Sequence, residues 1–314
     1  MSTASRAYPT DRVTLREVGL RDGLQLVKRV PSTEAKIDWL QREYAAGVRC
    51  FEVGSFLPAS RMPKFADVRM MVEEVSGLEG AMSSALTLNE RGIDDAMTTQ
   101  IDEIVCVVSA TEEHSQANMR RSRQAAVDLV GLAVEKAAAS DHRPLVNAGI
   151  AMAFGCSIAG DVDQGEVLRL AEDCLKAGAD VVGVADTVGF AGPRQVSDLC
   201  NGMAALCDDR PFIVHLHDTR GLGLSNASAA LDAGCRVLDA SLGGLGGCPF
   251  APGATGNIVF EDLVYLCETK GFATGIDIPA LVGIRDILER ELPDERLYGA
   301  LARSGPPPNV NWAA

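Results

Sequence analysis

Two of the four histidines, His215 and His217, stand two residues apart in the apolar run 211–217. On a β-strand this spacing puts both imidazoles on one face, one pleat apart. Two convergent imidazoles readily bind one divalent ion, whereas a single buried histidine is more often a hydrogen-bonded core residue. The pair therefore favours a metal site. We interpret the other two histidines, His114 and His142, as surface residues, of which His114 is better placed to touch a ligand.

Charged side chains also follow or interrupt the first two apolar runs. Arg21 and Asp22 stand between glycines directly after the run 12–18, and the alternative to a functional site is a surface turn with an ion pair. Glu17 and Glu52 lie within the first and second runs, where a buried carboxylate needs a partner whichever way it points. A structural salt bridge inside the fold is the alternative for both glutamates.

Two polar residues, Asp186 and Thr187, follow the apolar run 180–185. At the end of a strand they could hydrogen-bond a substrate or a group that supports a ligand. A helix N-cap or an Asx turn explains them equally well.

The segment 241–257 carries six glycines and one cysteine, Cys248, and ends at Asn257. Such a segment is typical of an active-site loop, although a glycine-rich loop alone could bind phosphate through backbone N–H groups. A cysteine at its centre is hard to explain by packing. Its thiol could act as a general acid or base, because a modest perturbation brings a thiol pKa toward neutrality.

Apolar, β-branched runs alternate with amphipathic segments along the whole chain. Three junctions share the form helix, Ala-Gly, short turn, strand, and their glycines are Gly47, Gly178 and Gly234. Eight pairs of an apolar run and an amphipathic segment predict an α/β fold, a (β/α)8 TIM barrel. A doubly wound open sheet is the alternative. The predicted strands are 12–18, 48–54, 81–87, 103–109, 145–152, 180–185, 211–217 and 236–241. The predicted helices are 33–46, 63–76, 89–99, 115–139, 163–178, 193–207, 223–234, 257–270 and a final one, 278–291, as a C-terminal helical appendage.

Composition limits the possible partners and compartments. The 314 residues carry a formal net charge of −14, which argues against nucleic acid or an anionic membrane as the main partner. We find no membrane-spanning run and no secretory signal, and nine scattered cysteines indicate reduced thiols in a cytoplasmic protein. We expect a flexible N-terminal arm over 1–11, a catalytic barrel over 12–300 and a Pro-rich tail over 301–314.

The side chains that follow parallel strands of a barrel meet at one rim, where such folds place their chemistry. Two imidazoles, a carboxylate and an amide oxygen, without a thiolate cluster, suit Mg²⁺ or Mn²⁺ better than structural zinc. The residues expected at this rim are Arg21, Asp22, Glu52, His215, His217, Cys248 and Asn257.

Several of these segments together resemble the 3-hydroxy-3-methylglutaryl-CoA lyase family, metal-dependent TIM barrels with an RDG motif after the first strand. The resemblance extends over roughly residues 12–290, and the glycine-rich loop is its most specific part. The matching segments are EVGLRDGLQ at 17–25, FEVGSF at 51–56, ADTVG at 185–189, VHLHDT at 214–219 and GGLGGCPFAPGATGNIVFEDL at 243–263.

The resemblance implies a role for each residue of the site. The general base is left open between Asp22 and a metal-bound water. The implied metal ligands are Asp22, His215, His217 and Asn257. The implied catalytic residues are Arg21, Asp22, Glu52 and Cys248. Of these, Arg21 would hold the thioester oxygen and Cys248 would protonate the enolate carbon. The implied substrate contacts are Arg21, Gln25, Ser55 and Thr187, with Glu17 and Asp186 behind them.

The implied reaction is divalent-metal-dependent cleavage of a 3-hydroxyacyl-CoA to acetyl-CoA and a ketone or oxoacid, acetoacetate in the parent case. Leu20, Leu26 and Val27 replace residues typical of the family, and further departures cluster where the acyl group would lie, so citramalyl-CoA is an alternative substrate. A Claisen-condensing synthase and a non-enzymatic binding barrel are further alternatives. The resemblance also implies a homo-oligomer, for which a dimer is our expectation.

Overall fold

The computed structural model describes residues 3–247 and 256–308. Eight parallel strands, each hydrogen-bonded to the next and the last to the first, close into a barrel in chain order. The predicted (β/α)8 barrel is therefore confirmed. The strands are β1 Thr14–Glu17, β2 Cys50–Ser55, β3 Met82–Thr87, β4 Glu103–Ser109, β5 Leu145–Ala151, β6 Val181–Asp186, β7 Phe212–Leu216 and β8 Val237–Ala240.

Helices cover the outside of the barrel, and their apolar faces pack on the strands in one large core. Among the described residues, no helix has the length and apolar character needed to cross a membrane. The helices are α1 Thr3–Ala7, α2 Thr33–Ala45, α3 Val68–Ser76, α4 Glu90–Met97, α5 Glu112–Met119, α6 Arg123–Ala139, α7 Gln164–Lys176, α8 Pro193–Cys207, α9 Gly223–Asp232, α10 Phe260–Thr269, α11 Ile278–Gly283, α12 Arg285–Glu291 and α13 Leu301–Ser304.

Four predicted helices differ from the structure. The helix predicted over 63–76 begins only at Val68, after a short 3₁₀ turn at Pro63–Phe65, and the helix predicted over 278–291 is two helices, α11 and α12. The segment 115–139 is not one helix, because Arg120 adopts a left-handed conformation (φ 56°) that ends α5, and Ser122 caps the start of α6. The predicted helix 257–270 begins only at Phe260, since Asn257 and Val259 form backbone bridges with His217 and Ser241, which follow β7 and β8.

The interior of the barrel holds a connected row of charged side chains. Arg16 on β1 forms ion pairs with Glu103 on β4 (3.1 Å) and with Asp239 on β8 (3.5 Å). Asn147 on β5 donates to the same Glu103 oxygen at 2.9 Å. These side chains are almost fully buried, so their charges are compensated by one another rather than by water.

The N-terminal segment covers the end of this row of side chains at the floor of the barrel. The Tyr8 hydroxyl donates to Glu103 at 2.7 Å, and Tyr8 and Ala4 are each 1 % exposed. The described part of the segment 1–11, which we expect to be a flexible arm, begins with α1 and packs against the barrel through Ala4 and Tyr8. The short sequence gave no periodic signal, and burial of a single aromatic ring in the barrel floor is a tertiary effect.

A second group of buried acids lies between the barrel and its helices. Glu17 on β1, Glu43 on α2 and Glu261 on α10 are each fully buried. Arg285 on α12 pairs with Glu261 and so ties the C-terminal helices to the barrel. Burial raises the pKa of Glu43 well above its usual value, and the charge of Glu17 raises it further.

Replacing Tyr8 by Phe should lower the free energy of unfolding by about 1–2 kcal/mol, because Glu103 loses a buried hydrogen bond. Tyr44→Phe is the matched control, since its hydroxyl donates to a backbone carbonyl at the surface. Urea unfolding of both variants measures the difference. Equal effects of the two substitutions would show that the floor contact contributes nothing special.

Replacing Glu43 by Gln should raise Tm at pH 8 and change it little at pH 5. The folded-state pKa is raised above the unfolded value of about 4.3, so stability is lost as pH rises through the folded pKa. Glutamine cannot ionise and escapes this loss. Thermal unfolding at both pH values tests this, and a uniform decrease in Tm would contradict it.

Candidate metal centre and active site

The return of the chain after β8 positions the first ligands. His217 follows β7 directly, and Asn257 forms an antiparallel bridge with it. The N–H of Asp218 donates to the Gly256 carbonyl at 2.9 Å, and the N–H of Ile258 donates to the Leu216 carbonyl at 3.2 Å. Backbone pairing, rather than side-chain packing, therefore brings Asn257 beside the two histidines.

A π-helical turn, Gly19–Gly23, positions Arg21 and Asp22 above β1. The turn packs tightly, because a Cβ on Gly19 would lie 2.5 Å from a Glu17 oxygen and 2.6 Å from the Trp39 ring. The Gly19 N–H donates to that Glu17 carboxylate at 2.6 Å. Only glycine fits at position 19, and this close contact holds the turn that carries Arg21 and Asp22 against the barrel.

Asp22, His215 and His217 converge at one point of the rim, with a ligand atom from each lying within 4.8 Å of the others. The Nε2 atoms of the two histidines are 3.0 Å apart, and Asp22 Oδ2 is 3.5 Å from His217 Nε2. The Asn257 amide donates to the same Asp22 oxygen at 2.8 Å. Three element ends that are distant in the chain thus meet.

Charged neighbours shift the pKa values of Asp22 and His215 in opposite directions. Burial alone would raise the pKa of Asp22, but the charge of Arg21 and the hydrogen bond to His217 lower it well below its usual value. Burial alone would lower the pKa of His215, but the hydrogen bond to Asp239 at 3.1 Å and the charge of Asp22 raise it. Asp22 is therefore an anion, and His215 has its Nδ1 held by Asp239.

The residues present fit a hard divalent cation. The Asn257 Oδ1 is a buried acceptor without a hydrogen-bond partner among the described residues, while its Nδ2 is held by Asp22 and the Leu245 carbonyl. Facing imidazole Nε2 atoms beside an anionic carboxylate and an unused amide oxygen form a donor set for such an ion. The carboxylate of Asp239 behind His215 is the usual partner of a ligating imidazole.

Arg21 is held by three acceptors. It donates to Glu52 at 2.8 Å, to Asp22 at 2.7 Å and to Gln25 at 3.2 Å. Burial raises the pKa of Glu52 above its usual value, although the Arg21 charge opposes this shift. The guanidinium therefore lies immobilised beside the candidate metal position, with its orientation set by both carboxylates.

A β-bulge in β2 turns two predicted residues toward the same space. The pairing with β3 shifts between Glu52 and Gly54, so Val53 has no counterpart. Without the shift, Glu52 and Ser55 would point to opposite faces of the strand. With it, both line the same cavity, and Ser55 donates to the Leu86 carbonyl at 3.3 Å.

The cavity, about 390 Å³, opens at the carboxyl ends of the strands and reaches into the barrel. Gln25 and Thr187 also line it, and Thr187 accepts a hydrogen bond from the Met152 N–H at 2.9 Å. Asp186 and Glu17 lie outside its lining. Asp186 accepts from the Phe190 and Ala191 N–H groups, and Glu17 accepts from Gly19 and Leu242 N–H groups, so each carboxylate braces a loop behind the site.

The HMGL-like family model matches residues 12–288 of the chain. The chain belongs to the HMGL-like family. The predicted family and the predicted carbon–carbon lyase activity are thereby confirmed.

Three relatives of this family illustrate the similarity. The hydroxymethylglutaryl-CoA lyase of Bacillus subtilis is 32 % identical over 285 residues, which cover 91 % of this chain and 94 % of the relative. The (R)-citramalyl-CoA lyase of Chloroflexus aurantiacus is 35 % identical over 308 residues, covering 94 % and 96 %. The solved structure of an HMG-CoA lyase from Acinetobacter baumannii with coenzyme A and 3-methylmalate has a TM-score of 0.88 at 34 % identity, covering 96 % and 98 %.

Cys248 lies outside the described residues, so its role stays a prediction. His114, expected at the surface, is instead only 2 % exposed and lines the cavity, because it belongs to the inward face of α5. The eight described cysteines are free and buried, as expected for them.

Sequence reasoning missed the residues that support the site from below. Asp239 and Arg16 are interior strand residues, and Asp239 pairs with His215 across β7 and β8. A carboxylate between Leu238 and Ala240, both apolar, was the signal that could have identified it. Arg16 could have been found by alternation, since Glu17 next to it must face the other way.

Replacing His217 by Ala should abolish binding of one equivalent of Mn²⁺, because the group of Asp22, His215 and His217 loses a ligand. His142→Ala, which removes an imidazole outside the cavity lining, should bind Mn²⁺ as the unaltered protein does. Titration calorimetry of both variants measures this. Unchanged affinity in His217→Ala would place the metal elsewhere.

Proposed function

We propose that this chain cleaves a 3-hydroxyacyl-CoA between C2 and C3, releasing acetyl-CoA and a ketone or oxoacid. The observation that carries this proposal is the convergence of Asp22, His215 and His217 beside Arg21 in one cavity. A cation site next to a fixed guanidinium suits a substrate that offers oxygens to both. A binding barrel without chemistry would have no use for this costly arrangement of buried charge.

We assign Asp22, His215, His217 and Asn257 as the residues that would hold Mg²⁺ or Mn²⁺. Bound there, such an ion would supply Lewis acidity that makes the substrate's 3-hydroxyl more acidic. The facing Nε2 atoms and the unused Asn257 Oδ1 support this assignment. Asp239 holds the His215 ring in the tautomer that presents Nε2.

Arg21 is the group that stabilises the developing charge at the thioester. When the 3-hydroxyl loses its proton and the C2–C3 bond breaks, the bonding electron pair moves to C2 and the thioester oxygen. A guanidinium already fixed by Glu52 and Asp22 needs no reorganisation to meet that oxygen. Glu52 is therefore a positioning residue, and Gln25, Ser55 and Thr187 complete the wall around the acyl group.

Cys248 is the proposed donor of the proton that C2 gains. The hydroxyl proton passes from O3 to a base, Asp22 or a water, and the Cys248 thiol proton passes to C2, so the substrate loses one proton and gains one. The thiolate that remains on Cys248 takes up a proton from solvent before the next turnover. The glycine-rich composition around Cys248 supports a loop that brings the thiol to the cavity.

Two acyl groups are candidates for the substrate. A 3-hydroxy-3-methylglutaryl group yields acetoacetate, and a citramalyl group yields pyruvate. The second candidate is favoured by the relative named for citramalyl-CoA, which matches 94 % of this chain at 35 % identity. The cytoplasmic location and the dimer stay predictions.

Replacing Arg21 by Gln should lower kcat by about 10²–10³-fold, as loss of a donor to a developing oxyanion does elsewhere. Arg69→Gln, at a half-exposed surface ion pair, is the matched control and should keep full activity. Acetyl-CoA release from both thioesters with Mg²⁺ is the assay. Activity that survives complete chelation, or no release from either thioester, would refute the proposed reaction.

A further inference from the structure

A channel lined by small residues runs from the rim into the barrel beside His215. His215 on β7 is paired with Ala185 on β6, and two residues earlier on β6, Gly183 is paired with Gly149 on β5. All four residues line the cavity. The two neighbouring glycines leave open a part of the barrel interior that side chains normally fill, about 6–7 Å below the level of His215.

Neither glycine of the channel is required by the backbone. Gly149 and Gly183 both lack the left-handed conformation that excludes other residues. A Cβ on Gly183 would lie 3.5 Å from the Ile213 Cβ, and a Cβ on Gly149 would lie 3.4 Å from a methyl group of Val105, which are ordinary contact distances. Alanine would therefore fit at both positions, and what glycine adds there is open space.

Asn147, at the floor of the channel, carries a buried hydrogen-bond acceptor that no described residue uses. It is 2 % exposed and lines the cavity, and its Nδ2 donates to Glu103 at 2.9 Å. Its Oδ1 lies on the channel side, 3.7 Å from the position of a Cβ on Gly183, and has no hydrogen-bond partner among the described residues. A buried acceptor left unpaired is costly, so this oxygen indicates a bound group that donates a hydrogen bond.

The charges at the floor favour an uncharged donor. Arg16 also lines the cavity, and carboxylate oxygens of Glu103 and Asp239 lie 3.1 and 3.5 Å from its guanidinium. A carboxylate at the end of a bound chain would meet these two carboxylates, and an ammonium group would meet the guanidinium. A hydroxyl group donates to Asn147 Oδ1 without adding charge.

We propose that the 3-hydroxyacyl-CoA substrate carries at C3 a hydroxyalkyl chain longer than methyl, which passes between Gly149 and Gly183 and donates a hydrogen bond to Asn147 Oδ1. The chain would take the place of the methyl group that both candidate acyl groups carry at C3. This inference rests on the proposed lyase function and specifies its substrate class. With the 3-hydroxyl beside His215, C3 lies at the top of the channel, and a chain on the same carbon points down it.

The test uses three CoA thioesters that differ only in the group at C3, which is methyl, pentyl or 4-hydroxybutyl, on whichever acyl frame the parent protein cleaves. Pentyl and 4-hydroxybutyl are matched in length. We expect kcat/KM to be highest for 4-hydroxybutyl and about 10-fold lower for pentyl, because a pentyl chain leaves Asn147 Oδ1 buried and unpaired.

Gly183→Ala places a methyl group in the channel and tests its width. The kcat/KM for 4-hydroxybutyl relative to methyl should fall about 10-fold or more, as misfit by one carbon does in other apolar pockets. Gly131→Ala is the matched control and should keep the ratio of the parent protein. Gly131 lies on α6 outside the cavity lining, and its added Cβ would be 3.9 Å from the nearest atom.

Asn147→Leu tests the hydrogen bond separately. The preference for 4-hydroxybutyl over pentyl should fall from about 10-fold to about one. This ratio compares two substrates of the same variant, so a loss of stability from the broken contact with Glu103 does not change it.

Two results would overturn this inference and leave the lyase function standing. One is a parent protein that cleaves the methyl thioester but neither longer one, or that cleaves pentyl and 4-hydroxybutyl equally well. The other is a preference for 4-hydroxybutyl over methyl that Gly183→Ala leaves unchanged. Release of acetyl-CoA from no thioester on either acyl frame would instead refute the lyase function, and the inference with it.

Discussion

Closure of the barrel between β1 and β8 is the constraint on which the site depends. It brings Asp22, just after the first strand, against Asn257, on the segment between the last strand and α10, and the two side chains share a 2.8 Å hydrogen bond across 235 residues of sequence. His217 joins them through its backbone bridge to Asn257. If the sheet were open, these ligands would lie at opposite edges and no cation site would exist.

A connected row of buried charged side chains lies below the rim and supports its charges. Asp239 holds His215, Arg16 lies between Asp239 and Glu103, and Tyr8 donates to Glu103 at the barrel floor. Each carboxylate in this row has a hydrogen-bond donor or a cation beside it, so the cost of burying charge is offset locally. The N-terminal helix is therefore part of the framework that orients a metal ligand.

The regular part of this fold could be predicted from the sequence, because strand and helix periods differ and the Ala-Gly junctions repeat. All eight strands lie within about two residues of the predicted ones. The rim residues could be predicted as well, since any residue that follows a strand of a parallel barrel reaches the same end. His215 and His217 needed only the two-residue repeat of a strand.

What escaped prediction depends on contacts between distant segments. Gly54 inside the strand is the only local signal of the bulge at Val53, yet the bulge decides that Glu52 and Ser55 share a cavity. Tyr8 and His114 are buried because segments distant in sequence pack over them. Neither residue belongs to a strongly periodic segment, so the sequence pattern does not indicate their burial. Asp239 looked like an ordinary strand residue until its partner on β7 was known.

The central claim is that one hard cation is bound at the rim by side chains from both ends of the barrel. Anomalous diffraction from crystals grown with Mn²⁺ measures this most directly. The account predicts a single strong peak within about 2.3 Å of ligand atoms of Asp22, His215, His217 and Asn257. A peak at another position, or no peak in crystals whose protein binds Mn²⁺ in solution, would contradict it.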